Sequence, residues 1–546
     1  MTKSIFIFIS AVSFALAQWP SDPDINLQIS KTNISYGWDF AATSDGNNGV
    51  ISVWADTRKG TQTLYAQRVD DAGNLLWDSM GVEISVDSLQ SFSPAVLSDG
   101  EGGVFIVWEK NIGSGNLYGQ RMNAFGEKLW ADTGVVICSA TRRQSSPKII
   151  SDADGGIIIT WTDNRGAFGT YDDIYVQRVD QNGIAIWPKN GIMLHSNKGE
   201  ERYPEIIPDG NGGAIFCWWT LGQSIFTQKI DVNGNLKWGG GKRTSLLPTN
   251  YPTKTMVSDN AGGAILFWSS GQDISAQRVD SSGSLVWGDT AEIVLDFIDG
   301  AQDIPNALAD GEGGAYVVWR DARPGANNAF IYLQHFNANG DQLWTPGGVS
   351  ISNFNTYIPT PLITKAPDNS VYIAWEDTRS SQYLWTQRIN PDSSHHYQYG
   401  GVQTAKGVAN WSDHKIFTTE EGSMIAVFSD GNDIRAKKIH PDGSLGTVTT
   451  IADNSLIKLS GFNLYQNYPN PFNPKTVIRY YLTRASNVEL TVYDLSGKEI
   501  KTIVNTKQAS GDYKIVFNAE NFSSGVYFYT LKTDNQTLSR KMILLK

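Results

Sequence analysis

The chain has 546 residues and a formal net charge of −11 at pH 7. Its lysines and arginines are scattered rather than clustered, so it lacks the basic patch that nucleic-acid binding requires. Two cysteines are too few for a disulfide framework, and we expect Cys138 and Cys217 to be buried thiols in separate repeats. Fifty-three glycines and 18 tryptophans are typical of many short strands joined by tight turns.

Residues 1–17 are predicted to be a secretory signal. Lys3 supplies a positive start, an apolar stretch covers residues 5–16, and residues 15–17 form a small-x-small cleavage site. The apolar stretch is too short to cross a bilayer stably, and no later segment reaches about 18 uninterrupted apolar residues. The mature protein is therefore expected to be soluble or attached to a surface.

A glycine-rich acidic turn, followed five residues later by tryptophan or a substitute, recurs at intervals of about 50–57 residues. The eight pairs are Gly49/Trp54, Gly103/Trp108, Gly156/Trp161, Gly213/Trp218, Gly263/Trp268, Gly314/Trp319, Ser370/Trp375 and Ser423/Phe428. A fixed period of this length indicates one supersecondary unit copied many times, each burying its apolar faces against its neighbours.

Each repeat contains four predicted strands. In the third repeat these are residues 147–150, 157–161 and 174–179 and a last strand after Gly191, separated by Gly, Asp and Asn turns. The second strand is apolar on both sides, which is typical of a sheet covered on both faces. Four strands per repeat predict an all-β fold in which residues 18–455 form an eight-bladed β-propeller of four-stranded antiparallel blades.

The last repeat lacks the tryptophan that follows the third strand in earlier repeats. A matching fragment lies at the other end of the chain, where Trp19 precedes residues 25–30, much as Trp77 precedes residues 81–85. The outer strand of the eighth blade could come from this N-terminal segment, which would remove exposed sheet edges, or from the last repeat's own residues 447–451.

The third strand repeats a glutamine two residues after an aromatic residue, so both side chains lie on one face of the sheet. These glutamines are Gln67, Gln120, Gln177, Gln228, Gln334 and Gln387. One interpretation is a ring of ligand-binding amides. The other, which recurrence in nearly every repeat favours, is a set of buried amides that bond to the backbone between adjacent blades.

Four repeats place an Asp-x-Arg motif directly after the second strand. The pairs are Asp56/Arg58, Asp163/Arg165, Asp321/Arg323 and Asp377/Arg379. In blade order they lie on the same face as the loops between blades, where binding sites are usually found, so they are the candidate binding residues. The alternative is a framework role, since Asp caps turns and Arg pairs with neighbouring carboxylates.

No metal, cofactor or catalytic motif is predicted. The acidic turns at residues 99–103 and 310–314 fit tight hairpins better than calcium loops, which need oxygen ligands at alternating positions. The six histidines share no motif, and no Gly-x-Ser-x-Gly elbow occurs. A pair of glycosidase carboxylates is still an open alternative, because the distance between two carboxyl groups depends on the fold.

The period stops after residue 455, and we expect a linker at residues 456–461 and a separate domain at 462–546. The segment 468–474 contains three prolines and cannot be a helix or a central strand. Strand-like runs then alternate with turns at residues 496–497, 510–511 and 523–525. About 85 residues of this kind predict a small immunoglobulin-like β-sandwich.

The blocks at residues 463–474, 492–500, 524–531 and 541–546 closely resemble the type A sorting domain of the type IX (Por) secretion system. The motif positions are Tyr468, Pro469, Asn470, Pro471, Phe472, Asn473, Pro474, Gly497 and Gly525. The resemblance implies Sec-dependent export to the periplasm, passage through an outer-membrane translocon, removal of the domain, and release or attachment to surface lipopolysaccharide. It also implies a Bacteroidetes-related source. The repeats resemble those of uncharacterised secreted propellers.

These observations together predict a secreted or cell-surface propeller that serves in binding or adhesion without catalysis. Its expected partners are the type IX secretion machinery and a surface glycan or protein, without nucleic acid and without a transmembrane segment. Two alternatives remain: a glycan-active hydrolase or lyase on the same scaffold, and a passive surface-layer component.

Overall fold

The computed structural model describes these residues: 19–30, 39–85, 89–111, 115–166, 171–195, 199–221, 224–245, 253–270, 273–288, 293–294, 300–323, 329–352, 360–377, 383–408, 414–446, 462–464, 467, 470–482, 485–495, 497–509, 511–533 and 537–546. The predicted signal at residues 1–17, the predicted linker at 456–461, Arg379, Tyr468 and Pro469 lie outside them. The chain divides into two compact units, Met1–Val448 and Thr449–Lys546.

In the described part of the first unit, eight four-stranded antiparallel sheets follow the eight sequence repeats. The first strands are Phe40–Ser44, Ser91–Ser98, Gln144–Ser151, Glu201–Pro208, Lys254–Ser258, Gln302–Ala309, Leu362–Lys365 and Lys415–Thr418. The second strands are Val50–Asp56, Val104–Lys110, Ile157–Asp163, Ala214–Thr220, Ala264–Ser270, Ala315–Asp321, Val371–Asp377 and Met424–Ser429.

Six of the eight fourth strands have only two residues. The third strands are Thr63–Val69, Asn116–Met122, Asp173–Val179, Ser224–Ile230, Asp273–Val279, Phe330–Phe336, Tyr383–Ile389 and Ile434–Ile439. The fourth strands are Val82–Glu83, Val135–Cys138, Ile192–Met193, Lys242–Arg243, Ile293–Val294, Val349–Ser350, Val402–Lys406 and, from the N-terminus, Leu27–Gln28.

The first strands line the centre of a closed ring. Each contacts the first strand of the next sheet, and Phe40–Ser44 contacts Lys415–Thr418, which joins the last sheet to the first. We number the sheets as blades 1 to 8 in the order of their first strands. The described residues contain no helix, and hence none that could span a membrane. The prediction of an all-β propeller is confirmed.

The cores lie between neighbouring blades, which explains why the second strands are apolar on both sides. In blade 1, Ile51 and Val53 pack with Trp108 of blade 2. Val50 and Trp54, which alternate with them, pack with the last blade instead. Cys138 and Cys217 are buried free thiols, and burial raises the pKa of each to about 11.

The N-terminal segment closes the ring. Leu27 pairs with Ala436 in an antiparallel ladder, so the N-terminus supplies the outer strand of blade 8. Trp19 is only 3% exposed and its Nε1 donates to the carbonyl of Asp71 at 2.7 Å. Trp77 Nε1 makes the equivalent bond to the next blade at 3.0 Å. The alternative segment, residues 447–451, lies outside the described residues.

The second unit contains two antiparallel sheets. One has strands Phe462–Leu464, Lys475–Leu482 and Gly511–Asn518. The other has strands Ser486–Tyr493, Glu499–Gln508, Gly525–Lys532 and Thr537–Leu544. Ile478, Tyr480, Val492 and Tyr529 belong to one shared core, as in a β-sandwich. Phe472 of the sorting motif is buried in this core and its N–H donates to Ile543 O at 2.9 Å. The immunoglobulin-like topology stays a prediction.

Candidate functional site

The propeller has two rims of different construction. The turns from first to second strand and from third to fourth strand lie at one rim, here called the turn rim. The second-to-third loops and the loops between blades lie at the opposite rim, the loop rim, because neighbouring strands are antiparallel. Each predicted site residue of the propeller that the structure describes can be assigned to one of these rims.

The acidic turns are closed structural units at the turn rim. Asp45 Oδ1 accepts the N–H groups of Asn47 and Gly49 at 2.8 and 2.7 Å. Its Oδ2 pairs with Arg68 at 2.8 Å, and Arg68 also donates to the carbonyl of Ala124 in blade 2. Equivalent pairs are Asp99/Arg121, Asp152/Arg178, Asp209/Lys229, Asp259/Arg278 and Asp310/His335. In blade 7, Asp368 lies two residues later in its turn and pairs with Arg388. The hairpin interpretation is confirmed.

The repeated glutamines are framework residues. Gln177 Nε2 donates to the carbonyl of Pro188 at 2.9 Å, and its Oε1 accepts the N–H groups of Arg178 and Trp187. Gln67, Gln120, Gln228, Gln334 and Gln387 repeat this arrangement. The prediction that they bond to the backbone is confirmed, but the expected span between adjacent blades is wrong. The bonds stay within one blade, because the next turn folds back over its own third strand.

The Asp-x-Arg motifs are also satisfied within their own blades. Asp163 is fully buried and accepts from Arg165 Nε at 2.9 Å and from Trp161 Nε1 at 2.7 Å. Arg165 also donates to Asn190 O at 2.8 Å, and its guanidinium lies 3.7 Å from the centre of the Tyr175 ring. The cation of blade 3 thus has a carboxylate, a carbonyl and an aromatic ring as partners.

Arg58 and Arg323 repeat this arrangement in blades 1 and 6. Arg58 Nη2 lies 2.6 Å from Asp56 Oδ2, and Arg323 Nη2 lies 2.6 Å from Asp321 Oδ2. Each guanidinium also lies within 4 Å of the centre of a tyrosine ring in its own third strand, at 3.8 Å for Arg58 and 3.6 Å for Arg323. The side chains of Arg58 and Arg323 are only 18% and 20% exposed, and both carboxylates are fully buried.

The described motifs lie at the loop rim, the face that the sequence predicts, but each is paired within its own blade. Arg58, Arg165 and Arg323 lie in blades 1, 3 and 6, and each guanidinium folds back onto the carboxylate of its own motif instead of extending toward a shared ligand. In blade 7, Asp377 is fully buried and Arg379 lies outside the described residues. The contacts favour the framework role, and the role of the motifs as ligand-binding residues stays a prediction.

A cavity of about 730 Å³ opens in the central channel at the loop rim. Blades 1, 2, 3, 4 and 8 line it, and its charged and amide side chains are those of Asp39, Gln62, Lys148, Glu205 and Lys415. A second cavity of about 410 Å³ lies among blades 4 to 7. Glu205 lines both, so the two are adjacent. Volumes of about 300–1,000 Å³ are usual for sites that hold small ligands.

The predicted binding residues do not line these two cavities. Arg58 and Arg323 are absent from the walls of both, and so is Arg165, although all three lie at the loop rim. The reason is their position after the second strand, whereas the walls of the channel consist mainly of first strands. The larger cavity therefore opens at the same rim as the Asp-x-Arg motifs, but other residues form the walls of both cavities.

Four inner strands are strained where they enter the channel. Ser93, Ser146, Tyr203 and Ile304 have φ between 50° and 56°, and each lies within a β-bulge. Each precedes a proline, although a residue before proline prefers extended backbone, and Ile304 is β-branched. These four residues line the two cavities. Sequence analysis missed them, although a proline five residues before the acidic turn recurs as Pro94, Pro147, Pro204 and Pro305.

Carboxylates hold two of the bulges. Asp39 Oδ1 accepts the N–H of Ser93 at 2.7 Å, and its Oδ2 accepts from Gln62 at 2.7 Å. Burial raises the pKa of Asp39 from 3.8 to about 6, although the bond from Ser93 opposes this shift. Glu109 accepts the N–H of Ser146 at 3.0 Å. Within the cavity, Lys148 Nζ lies 3.6 Å from a Glu205 oxygen.

Comparison with known families gives one match, to the C-terminal sorting domains of the type IX secretion system, over residues 466–545. The second unit is therefore a secretion sorting domain, and it implies export to a secreted or cell-surface location. The sequence resemblance noted at residues 463–474 is confirmed. No curated protein matches the chain.

Several solved structures share part of the propeller's shape. A lectin, BP39L, of Burkholderia pseudomallei has 11% identity over 67% of this chain and 99% of its own, with a TM-score of 0.43. Sqt1 of Chaetomium thermophilum has 11% identity over 76% and 98%, with a TM-score of 0.40. An alpha-L-arabinanase of Penicillium chrysogenum has 13% identity over 56% and 95%, with a TM-score of 0.34. TM-scores below 0.5 are too low for these resemblances to indicate a function.

Proposed function

We propose that this protein is an exported binding or adhesion propeller that holds an extracellular ligand in the central channel at the loop rim without catalysis. The observation that carries the proposal is the 730 Å³ cavity, whose charged and amide side chains come from four blades. At the turn rim, by contrast, the repeated charged side chains pair with one another or with backbone groups. Polar groups that converge from several blades are what a binding site requires.

The route to the surface is part of this proposal. Removal of the signal at residues 1–17 would follow Sec-dependent export, and the sorting domain would then direct the chain through the type IX machinery. Deleting residues 462–546 should leave a folded propeller in the periplasm, because the first unit is compact by itself. Undiminished surface display of the truncated chain would contradict the proposed sorting role of residues 462–546.

The binding proposal is tested by filling the cavity. Ala95 lines the channel, so Ala95→Phe should occupy its space, whereas Ala72→Phe changes an exposed turn residue and is the control. The mature chain, from residue 18, is applied to an array of glycans and peptides. Binding that Ala95→Phe abolishes and Ala72→Phe preserves is the expected result. Binding that survives Ala95→Phe would place the site outside the channel.

One observation favours the second candidate, a glycan-active hydrolase or lyase. Asp39, with a pKa of about 6, lines the same cavity as Glu205, and a carboxyl group near this pKa can donate a proton close to neutral pH. The test is release of new sugar ends from glycans that bind the array. Turnover that Asp39→Asn abolishes would establish the enzyme, and binding without turnover would support the non-catalytic function.

A further inference from the structure

In one layer of residues around the channel, two alanines lie between two lysines. Ala41, Ala95, Lys148, Glu205 and Lys415 each pair with the residue just before the tryptophan, or its substitute, of their repeat, so they lie at equivalent depth. All five line the larger cavity. Around the ring the order is Lys415, Ala41, Ala95, Lys148, Glu205. The alanines leave open space, and a lysine borders that space on each side.

Lys148 has more capacity for a ligand than Asp39. Both oxygens of Asp39 already accept hydrogen bonds, from Ser93 and Gln62. The Lys148 side chain is 50% exposed and lies 3.6 Å from Glu205, and a lysine ammonium has three N–H donors. The layer can therefore offer N–H donors to an anionic group, while the nearby carboxylates accept from hydroxyl groups.

The adjacent smaller cavity has a different surface. Tyr203 is 52% exposed there, beside Ile304, Pro305 and Pro361. The strained backbone at Tyr203 and Ile304 fixes these side chains at the channel entrance. An exposed tyrosine ring provides a flat apolar surface with a polar edge, which suits the C–H face of a sugar ring. A ligand that crosses both cavities would thus need carboxylates, hydroxyl groups and apolar ring faces together.

We propose that the channel binds an acidic oligosaccharide, with sugar carboxylates held by Lys148 and Lys415 and a neighbouring sugar ring packed on Tyr203. This inference rests on the binding function proposed above and names its ligand class. Uronic acid units combine the three chemical features that the two cavities accommodate.

The experiment measures calorimetric binding of tetragalacturonate and tetramannuronate, and of their neutral methyl esters, to the mature chain. Lys148→Met and Lys415→Met should each weaken binding of an acid about tenfold, as loss of one charge-assisted hydrogen bond does, and leave ester binding unchanged. Lys237→Met is the matched control, because Lys237 is also 50% exposed and 3.6 Å from its partner Asp231, but lies outside the cavity. Raising the salt concentration should weaken binding of the acid only.

Equal affinity for acid and ester, an equal loss in Lys237→Met, or binding of neither acid would overturn the inference. Unchanged melting temperatures of the lysine variants establish that a loss of affinity is not unfolding. If the array instead shows a neutral glycan or a peptide whose binding Ala95→Phe abolishes, the binding function stands and this ligand class is wrong. If nothing binds, both fail.

Discussion

The two rims of the propeller connect the same strands but use their polar groups differently. At the turn rim, Asp45 and its counterparts close a hairpin and pair with an arginine, lysine or histidine of the third strand, and Arg68 reaches the next blade. At the loop rim, equivalent positions hold different residues, such as Ala41, Lys148 and Glu205. The repeated contacts of the turn rim hold the blades together, so residues at the loop rim can differ from blade to blade.

The loop rim also carries backbone strain. The left-handed conformations at Ser93, Ser146, Tyr203 and Ile304 cost about 1–3 kcal/mol each, and such strain tends to persist where function requires it. At the turn rim, glycines occupy most of the left-handed positions, as at Gly46 and Gly102, where they avoid this cost, although Ala153 and Asn260 are left-handed there too. Stability and binding should therefore respond differently to changes at the two rims, and four predictions test this.

The largest expected effect comes from deleting residues 19–30. The deletion removes the Trp19 bond at the turn rim, the ladder to Ala436, and the buried side chains of Leu27 and Ile29. The loss should exceed about 5 kcal/mol, at about 1 kcal/mol per net hydrogen bond and about 2 kcal/mol per buried side chain. Thermal unfolding measures it, with the exposed Ile25→Ser as control. An unchanged melting temperature would mean that other residues close blade 8.

The second prediction separates framework from site within the loop rim. Arg165→Ala strips the fully buried Asp163 of its cation and should lower the free energy of unfolding by about 3–5 kcal/mol. Arg143 pairs with Glu109 but its side chain is 64% exposed, so Arg143→Ala should lower the free energy of unfolding by less than about 1 kcal/mol. Urea denaturation compares them. A stable Arg165→Ala variant that loses ligand binding would show that the Asp-x-Arg motifs contact the ligand.

The third prediction concerns the lysine that holds the closing segment. Lys437 Nζ donates to Asp22 O and Ile25 O, and burial lowers its pKa from 10.5 to about 8. Because folding disfavours its charged form, the free energy of unfolding should rise, by about 2 kcal/mol, as pH increases from 8 to 10.5. Lys437→Met should remove this rise and Lys438→Met should keep it. Persistence of the rise in Lys437→Met would assign it to another group.

The smallest expected effect is at Asp39. Its folded pKa of about 6 lies above the unfolded value of 3.8, so the free energy of unfolding should fall as pH rises from 3.8 to 6. Asp39 is only partly buried, and we expect a fall of about 1 kcal/mol. Denaturation of Asp39→Asn across this range should lack that component. An identical pH profile in variant and native chain would contradict the assignment.

The sequence predicted much of the fold because the repeated contacts are local. The Gly-to-Trp spacing marks a hairpin and its buried second strand, and Trp19 with residues 25–30 matches the end of a repeat. Which segment supplies the outer strand of blade 8 could not be decided, since the last repeat offered its own residues 447–451. The predicted partners of Gln177, backbone groups of an adjacent blade, were also wrong. No sequence pattern shows that the turn after the third strand folds back over its own blade.

The candidate site was less predictable. Lys148 and Lys415 carry no shared motif, and only the closed ring brings them to one layer. The charge pattern instead favoured Arg58, Arg165 and Arg323 as binding residues. These arginines follow the second strands and each pairs with a buried carboxylate of its own blade, so they do not line the channel cavity. That pairing depends on burial and distances that a sequence does not show. The prolines before the acidic turns were visible, but a proline alone does not show that the preceding residue is left-handed.

Closure by the N-terminal strand has a consequence for when the protein can finish folding. Gln28 bonds to Asp433, a residue 405 positions later, so the first strand to leave the ribosome needs one of the last. Contacts of such long sequence separation form late and slow the final step. Until then the third strand of blade 8 has an unpaired edge, and two such chains could exchange their first strands and join as a pair. Correct assembly thus depends on each chain finding its own end before it meets another.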